Sequence, residues 1–160
     1  MKPQKFSFNF EEYPSIESLH TEDQQLLQEA ISIRKTAYAP YSKFNVGAAI
    51  LLDDGTIVTG NNQENAAYPS GLCAERVAIF HAASHHPNKK IIKIAITADA
   101  QDSKLFKAIP PCGACRQSLY EYEHKQKQEI EIIFGTDYSK IYKIKSLQNL
   151  LPFSFNSDMM

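Results

Sequence analysis

All three cysteines of the chain fall within two short motifs. Cys73-Ala74-Glu75 stands at the head of one stretch with helical spacing, and Pro111-Cys112-Gly113-Ala114-Cys115 stands at the head of another. The odd count argues against a disulfide framework. If the three sulfurs serve one site, two helix N-termini must converge, and that requirement constrains the fold more than any other feature. A Cys-x-x-Cys pair fits sterically around a helix start, where free backbone N–H groups stabilise thiolate charge. Three thiolates hold a zinc ion and leave its fourth tetrahedral position for water.

Charge arithmetic adds a requirement. Zinc with three thiolates sums to −1, which weakens the metal as a Lewis acid, so a cation is needed nearby. Arg76 follows Glu75 and is the first candidate to donate to the thiolates; Arg116, next to Cys115, is a second. Glu75 lies two residues after Cys73, within reach of water at the open position without being a ligand. Taken singly, these features have plainer readings. A lone Cys-x-x-Cys is more often structural zinc or a redox pair, and a Glu in a first helical turn ordinarily serves the dipole. Together, with no cysteine left over, they point to hydrolysis. A close relative of this signature, with His in place of the first Cys, marks the zinc nucleobase deaminases.

The 160 residues suit one domain with a sizeable core. No apolar run approaches the roughly 20 residues of a membrane helix. The N-terminus lacks the apolar region of a secretory signal, and reduced thiols fit the cytoplasm. Seventeen basic residues against 18 acidic ones give a net charge of −1, not the basic excess of a polynucleotide binder.

Residues 1–20 read as an extension, with Phe6, Phe8 and Phe10 alternating so as to lie against the core. Thr21 with Gln24 resembles a capping box. Leu26, Ala30, Ile33 and Ala37 recur at helical spacing, predicting a helix over 22–37 that Pro40 cannot continue. Strands are expected at 46–52 and 56–60, joined by Asp53-Asp54-Gly55 as a hairpin turn. A long Asn-, Pro- and Gly-containing loop leads to a helix from Cys73 to about His85. Then come a strand over 91–97, a loop over 102–111, a helix from Cys112 to about His124, a strand over 130–134 and a short helix over 146–151. Strands joined through helices imply a partly parallel sheet with helices on both faces. The histidines show no spacing that suggests metal ligation better than the cysteines do.

The ordered motifs Ala39-Pro40-Tyr41-Ser42-Lys43-Phe44, Val46-Gly47-Ala48-Ala49, Gly60 through Tyr68, Cys73-Ala74-Glu75-Arg76, Pro111 through Gln117 and Leu150-Leu151-Pro152 closely resemble the cytidine deaminase family, in its small three-cysteine form. The resemblance runs from about Thr21 to Phe155. It implies a three-layer α-β-α sandwich around a mixed five-stranded sheet. The division that follows is an N-terminal extension (1–20), a catalytic domain (21–155) and a C-terminal tail (156–160). It implies a hydrolase acting on C–N bonds in cyclic amidines, deaminating cytidine and deoxycytidine in pyrimidine salvage. Cys73, Cys112 and Cys115 would bind Zn2+, Glu75 would shuttle protons and Arg76 would support the thiolates. Asn62 and Glu64 would hydrogen-bond ribose hydroxyls, as an amide and a carboxylate can. Phe44 would pack on the pyrimidine and sugar, and Ala74 would offer backbone groups to the base edge. Asn65, Ala66 and Tyr68 would line a pocket, with Ala66 and Tyr68 reaching a neighbouring subunit's site. Phe155 would cap a neighbouring pocket, in a homotetramer that takes a nucleoside and involves neither nucleic acid nor membrane. Two positions depart from the family pattern: Asn45 stands where Pro usually follows Phe44, and Asn61 replaces a common Cys. A deaminase of another nucleoside-like amine, or a non-catalytic zinc or thiol module, is the competing expectation.

Overall fold

The computed structural model describes residues 1–104 and 106–160; Leu105, inside the expected loop over 102–111, lies outside the described residues. The first regular helix is α1 (Thr21–Arg34). It is followed by the hairpin of β2 (Phe44–Leu52) and β3 (Ile57–Asn61), then α2 (Ala74–His85) and β4 (Ile91–Ala100). Helix α3 (Gly113–Gln126), β5 (Glu131–Phe134), β6 (Ile141–Ile144) and the one-turn α4 (Leu147–Leu150) complete the core. Ahead of α1, Glu11–Tyr13 forms β1.

The sheet has six strands in the order β1-β6-β5-β4-β2-β3, not five. The expectation fails because the extension supplies an edge strand, Glu11 opposite Lys143 and Tyr13 opposite Ile141. Among the described strands only β4 and β5 run parallel, as a strand–helix–strand crossover through α3 requires. The other pairs are antiparallel.

Both faces of the central strands are covered, which explains why they read as continuous apolar runs. Ile50, Ile94, Ile96 and Ile132 face α2 and α3, packing with Ile79 and Leu119. The intervening Ala49, Ala95 and Ile133 face α1, against Leu26, Leu27 and Ala30. Two glycines set the spacing of these layers. A Cβ at Gly47 would lie 2.1 Å from the Ala30 carbonyl oxygen, and one at Gly60 would lie 2.5 Å from the Ala78 amide. The hairpin is thus clamped closely by α1 on one face and α2 on the other.

Several local expectations are corrected. Thr21 does not cap α1; the helix begins one residue earlier, so Thr21 is its first residue and His20 the cap, without a side-chain hydrogen bond. Gln24 Nε2 donates instead to the carbonyls of Glu17 and Leu19 (3.2 and 2.8 Å). Helix α1 ends at Arg34 rather than residue 37, its chain continuing into tighter turns from Lys35 to Ala37. Phe6, Phe8 and Phe10 are exposed. They form a row of tilted ring contacts that reaches the sheet only where Phe10 meets Tyr142 (5.7 Å between centroids).

Candidate active site

Cys73 and Cys112 are the N-cap residues of α2 and α3, and Cys115 lies in the first turn of α3. Neither cap side chain bonds its own helix backbone, so both sulfurs are available elsewhere. The three Sγ atoms lie within 4.8 Å of one another, with Cys112 and Cys115 at 3.5 Å. A tetrahedral zinc with Zn–S bonds near 2.3 Å separates its sulfurs by about 3.8 Å, so this trio fits zinc. Among the described residues it is the sole cluster of His, Cys, Asp or Glu with such geometry.

The electrostatics agree with the donor set. A hydrogen bond from Cys115, together with the Arg76 guanidinium, pushes the Cys73 thiol down to about 5, and the same shared proton and burial push Cys115 up. Thiolate ligation requires that proton to leave, so metal uptake is coupled to proton release. Arg76 Nη2 sits 4.0 Å from Cys73 Sγ and 3.4 Å from the Gly71 carbonyl oxygen. Its Nε is buried without a hydrogen-bond partner among the described residues. Arg116 does not share this role: its Nε donates to the Pro111 carbonyl and its Nη1 to that of Leu150 (2.8 and 2.9 Å). Backbone carbonyls, not thiolates, take its charge, and in doing so it pins the Cys112 loop to the end of α4.

Glu75 belongs to the first turn of α2 and is only 4% exposed. Burial raises its carboxyl above the usual range, and the Cys73 charge adds to the effect. It borders a cavity of about 760 Å³ that also reaches Cys73, Cys112 and Arg76. Ile96 and Ala98 of β4 form part of the apolar lining, and Ile109 and Pro110 contribute from the segment leading to Cys112. The mouth carries Tyr41 and Tyr68, tilted rings 5.9 Å apart and both exposed.

Phe44, Asn62, Glu64, Asn65 and Tyr68 all line this cavity. Asn62 Oδ1 accepts from the Val46 amide and its Nδ2 donates to the Phe44 carbonyl (2.7 and 2.9 Å). One lone pair and one N–H of the amide remain for a ligand. Glu64 Oε2 accepts from the amides of Tyr41 and Ser42 (2.9 and 3.3 Å), and hydrogen bonding, led by that with Ser42, holds the carboxyl below its ordinary value. It therefore presents a charged acceptor. Ala66, Ala74 and Phe155 do not line the cavity: Ala66 is exposed, Ala74 is wholly buried under Gly60, and Phe155 is exposed beside α3. Tyr41, Ser42, Gln63, Ile109 and Pro110 were not singled out as site residues, although each adjoins a motif that was. Their signal is position next to Phe44, Glu64 or Cys112, since a lone phenol, hydroxyl or amide in a loop is ordinary polarity in a sequence.

Known proteins agree with this geometry. The model of the cytidine and deoxycytidylate deaminase zinc-binding region matches residues 20–128. A cytidine deaminase of Halalkalibacterium halodurans is 39% identical over 137 residues, which cover 86% of this chain and 96% of that one. The crystal structure of a cytidine deaminase from Burkholderia pseudomallei superposes with a TM-score of 0.71 at 35% identity, covering 82% of this chain and 97% of that one. A cytidine deaminase structure from Mycobacterium tuberculosis gives 0.63 at 33% identity, covering 82% and 94%.

Proposed function

We propose, from the premise that this chain belongs to the cytidine and deoxycytidylate deaminase family, that Glu75 carries the protons of a hydrolytic deamination at its thiol cluster. The substrates are cytidine and deoxycytidine, and the products are uridine or deoxyuridine and ammonia. Zinc, held by Cys73, Cys112 and Cys115, supplies Lewis-acid activation of water at neutral pH. The observation that carries this reading is a buried carboxylate beside three clustered sulfurs, on a cavity large enough for a nucleoside.

Within that site Glu75 accepts a proton from the water that attacks C4 and delivers it to N3 of the base. It then assists protonation of the departing amine, so that one water is consumed and one ammonia released. Burial, which raises the Glu75 carboxyl, suits a group that must both take and return a proton. Arg76 offsets the excess negative charge of the thiolates. Phe44 packs on the nucleoside, and Asn62 and Glu64 read the ribose hydroxyls with the acceptor and donor capacity left after their backbone bonds. Asn65 and Tyr68 complete the wall.

Large apolar side chains left exposed, among them Tyr68, Leu72, Phe80 and Phe155, support assembly into a homotetramer in which Ala66, Tyr68 and Phe155 serve neighbouring sites. Sedimentation equilibrium at micromolar concentration tests this, and a monomer would remove it. No described helix is long and apolar enough to cross a membrane, and the free thiols support a reducing, cytoplasmic setting.

The test of the proton role is Glu75→Gln, which keeps shape and hydrogen bonding but removes the exchangeable carboxyl proton. The variant should retain one zinc per chain and the parent's circular dichroism while ammonia release from cytidine falls by about 10²–10⁴-fold. Full activity in a zinc-loaded variant would refute the assignment.

A further inference from the structure

Resting on the ribose-reading roles just proposed for Asn62 and Glu64, we infer that Asn61, which touches no part of the cavity, is the positioning residue that sets the ribose side of the site. Asn61 is the last residue of β3 and is buried, with its side chain facing α1. Both of its amide protons are committed: Nδ2 donates to the Ile33 carbonyl (3.1 Å) and to Thr36 Oγ1 (2.9 Å). Its Oδ1 accepts from Gln63 Nε2 (2.6 Å). The amide is therefore held in one orientation, with donors toward the end of α1 and the acceptor toward the segment that follows β3.

Both walls of the ribose side start from the two elements that Asn61 ties together. One wall is the 35–43 loop, which leaves α1 and carries Tyr41 and Ser42. The other is the 62–65 segment, which leaves β3 and carries Asn62 and Glu64. They are laced to each other by Tyr38 N to Asn62 O (3.1 Å) and Glu64 N to Tyr38 O (2.9 Å). The Glu64 carboxylate adds the amides of Tyr41 and Ser42. Those bonds fix one wall against the other; the pair is tied to the end of α1 through the side chains of Asn61, which donates to the Ile33 carbonyl and to Thr36 Oγ1, and of Thr36, whose hydroxyl donates to the same carbonyl (3.0 Å). Backbone contact reinforces the placement: Asn61 pairs with Gly47, the residue on which α1 sits directly. Loss of the Asn61 donors loosens the pair of walls at the α1 end, while the bonds of Asn62 to Val46 and Phe44 remain. That loosening misplaces Glu64 while leaving the sulfurs and Glu75, which are carried by α2 and α3, where they are.

The test compares cytidine with 2′,3′-dideoxycytidine, which lacks the hydroxyls that Asn62 and Glu64 read. Asn61→Asp is isosteric and turns an oxygen toward the Ile33 carbonyl. Thr36→Val removes one acceptor of Asn61 together with the hydroxyl's own bond to the Ile33 carbonyl, and is the milder variant because Asn61 keeps its other donor bond. Glu64→Gln tests the ribose reading itself. Asn61→Asp is expected to raise KM for cytidine by about 3- to 10-fold, the scale of one net hydrogen bond. Its kcat, zinc content and KM for the dideoxy substrate should stay within about twofold. Thr36→Val should move the cytidine-to-dideoxycytidine KM ratio about twofold in the same direction, and it decides alone if Asn61→Asp does not fold. If Glu64→Gln shifts that ratio and the Asn61 and Thr36 variants do not, the inference is overturned while the ribose reading stands. If Glu64→Gln leaves the ratio unchanged, the ribose reading fails and the inference falls with it. Equal losses on both substrates would mark Asn61 as merely structural and also overturn it.

Discussion

The two helical layers of the sheet treat buried charge in opposite ways. On the α1 face the buried charges are held in ion pairs, although Glu131 Oε2 accepts no hydrogen bond among the described residues. Asp23, 1% exposed, accepts from Lys93 and Lys143 at 2.7 and 2.8 Å, and Glu131 lies 3.1 Å from Lys143. Arg34, also buried, donates to Thr97 Oγ1 at 2.6 Å and to Asp137 at 2.8 Å, with Asp99 at 3.6 Å. On the α2–α3 face the Cys73 and Cys115 thiols are pushed apart in acidity by their contact and by Arg76, Glu75 is desolvated with no salt bridge among the described residues, and Arg76 leaves its Nε unpaired among the described residues. A paired buried charge is at its energy minimum and holds elements together. A buried charge with capacity to spare costs stability and is retained where a metal and a substrate complete it. The same strand, β4, shows both regimes: Ile96 and Ala98 face the cavity while Thr97 between them is bonded to Arg34.

The contrast predicts separable losses. The largest is on the cavity face. Cys115→Ser exchanges a buried thiolate ligand for a hydroxyl that does not ionise at neutral pH, so bound zinc should fall from one equivalent to near zero and ammonia release should become undetectable. Retention of stoichiometric zinc would show that Cys115 is not a ligand. Next in size is Asp23→Asn on the opposite face. Removing one partner from a buried ion network typically costs about 3–5 kcal/mol, because Lys93 and Lys143 are then left short of negative charge. Urea unfolding should show that loss, while kcat/KM at 25 °C stays within about twofold and zinc remains bound. A variant with parent-like stability, or one that loses zinc, would break the division of labour between the faces.

This division was only half legible in the sequence. The cavity side announces itself because its chemistry depends on rare residues at short spacing: Cys73, Glu75, Cys112 and Cys115 need no tertiary information to be grouped. Gly47 and Gly60 stood inside recognisable motifs, although the carbonyl and amide that exclude a Cβ there come from α1 and α2, far along the chain. The α1 side could not be read, because Asp23, Arg34, Lys93 and Lys143 are common residues whose pairing spans 63 to 120 positions. β6 was missed for a related reason: Ile141 and Ile144 are buried, but Tyr142 and Lys143 between them break the apolar run. β1 carries Glu11 and Glu12, poor strand formers by themselves, and it exists through pairing with β6. The exposed phenylalanines before it show the limit of reading alternation as burial. Arg116 shows that adjacency to a ligand does not fix where a long side chain points.

The smallest predicted effect sharpens the comparison through pH. Burial alone would raise the Asp23 carboxyl, but hydrogen bonds from Lys143 and Lys93 outweigh it and hold the group below its ordinary value. A depressed carboxyl contributes stability that is fully present above the unfolded-state value, near pH 4. The contribution is lost as pH falls through the folded-state value. Lys93 and Lys143 lie above their ordinary range despite burial, through their bonds to Asp23. Their contribution is complete below about pH 10 and is lost only in stronger base. The stability difference between the parent protein and Asp23→Asn should therefore be flat from pH 5 to 8 and shrink below about pH 4. Urea titrations of both proteins at pH 3.5, 5, 6.5 and 8 measure it. A difference that grows toward acid would mean that Asp23 is not the ionised centre of the α1-face network, and the contrast between a satisfied face and a reactive one would lose its anchor.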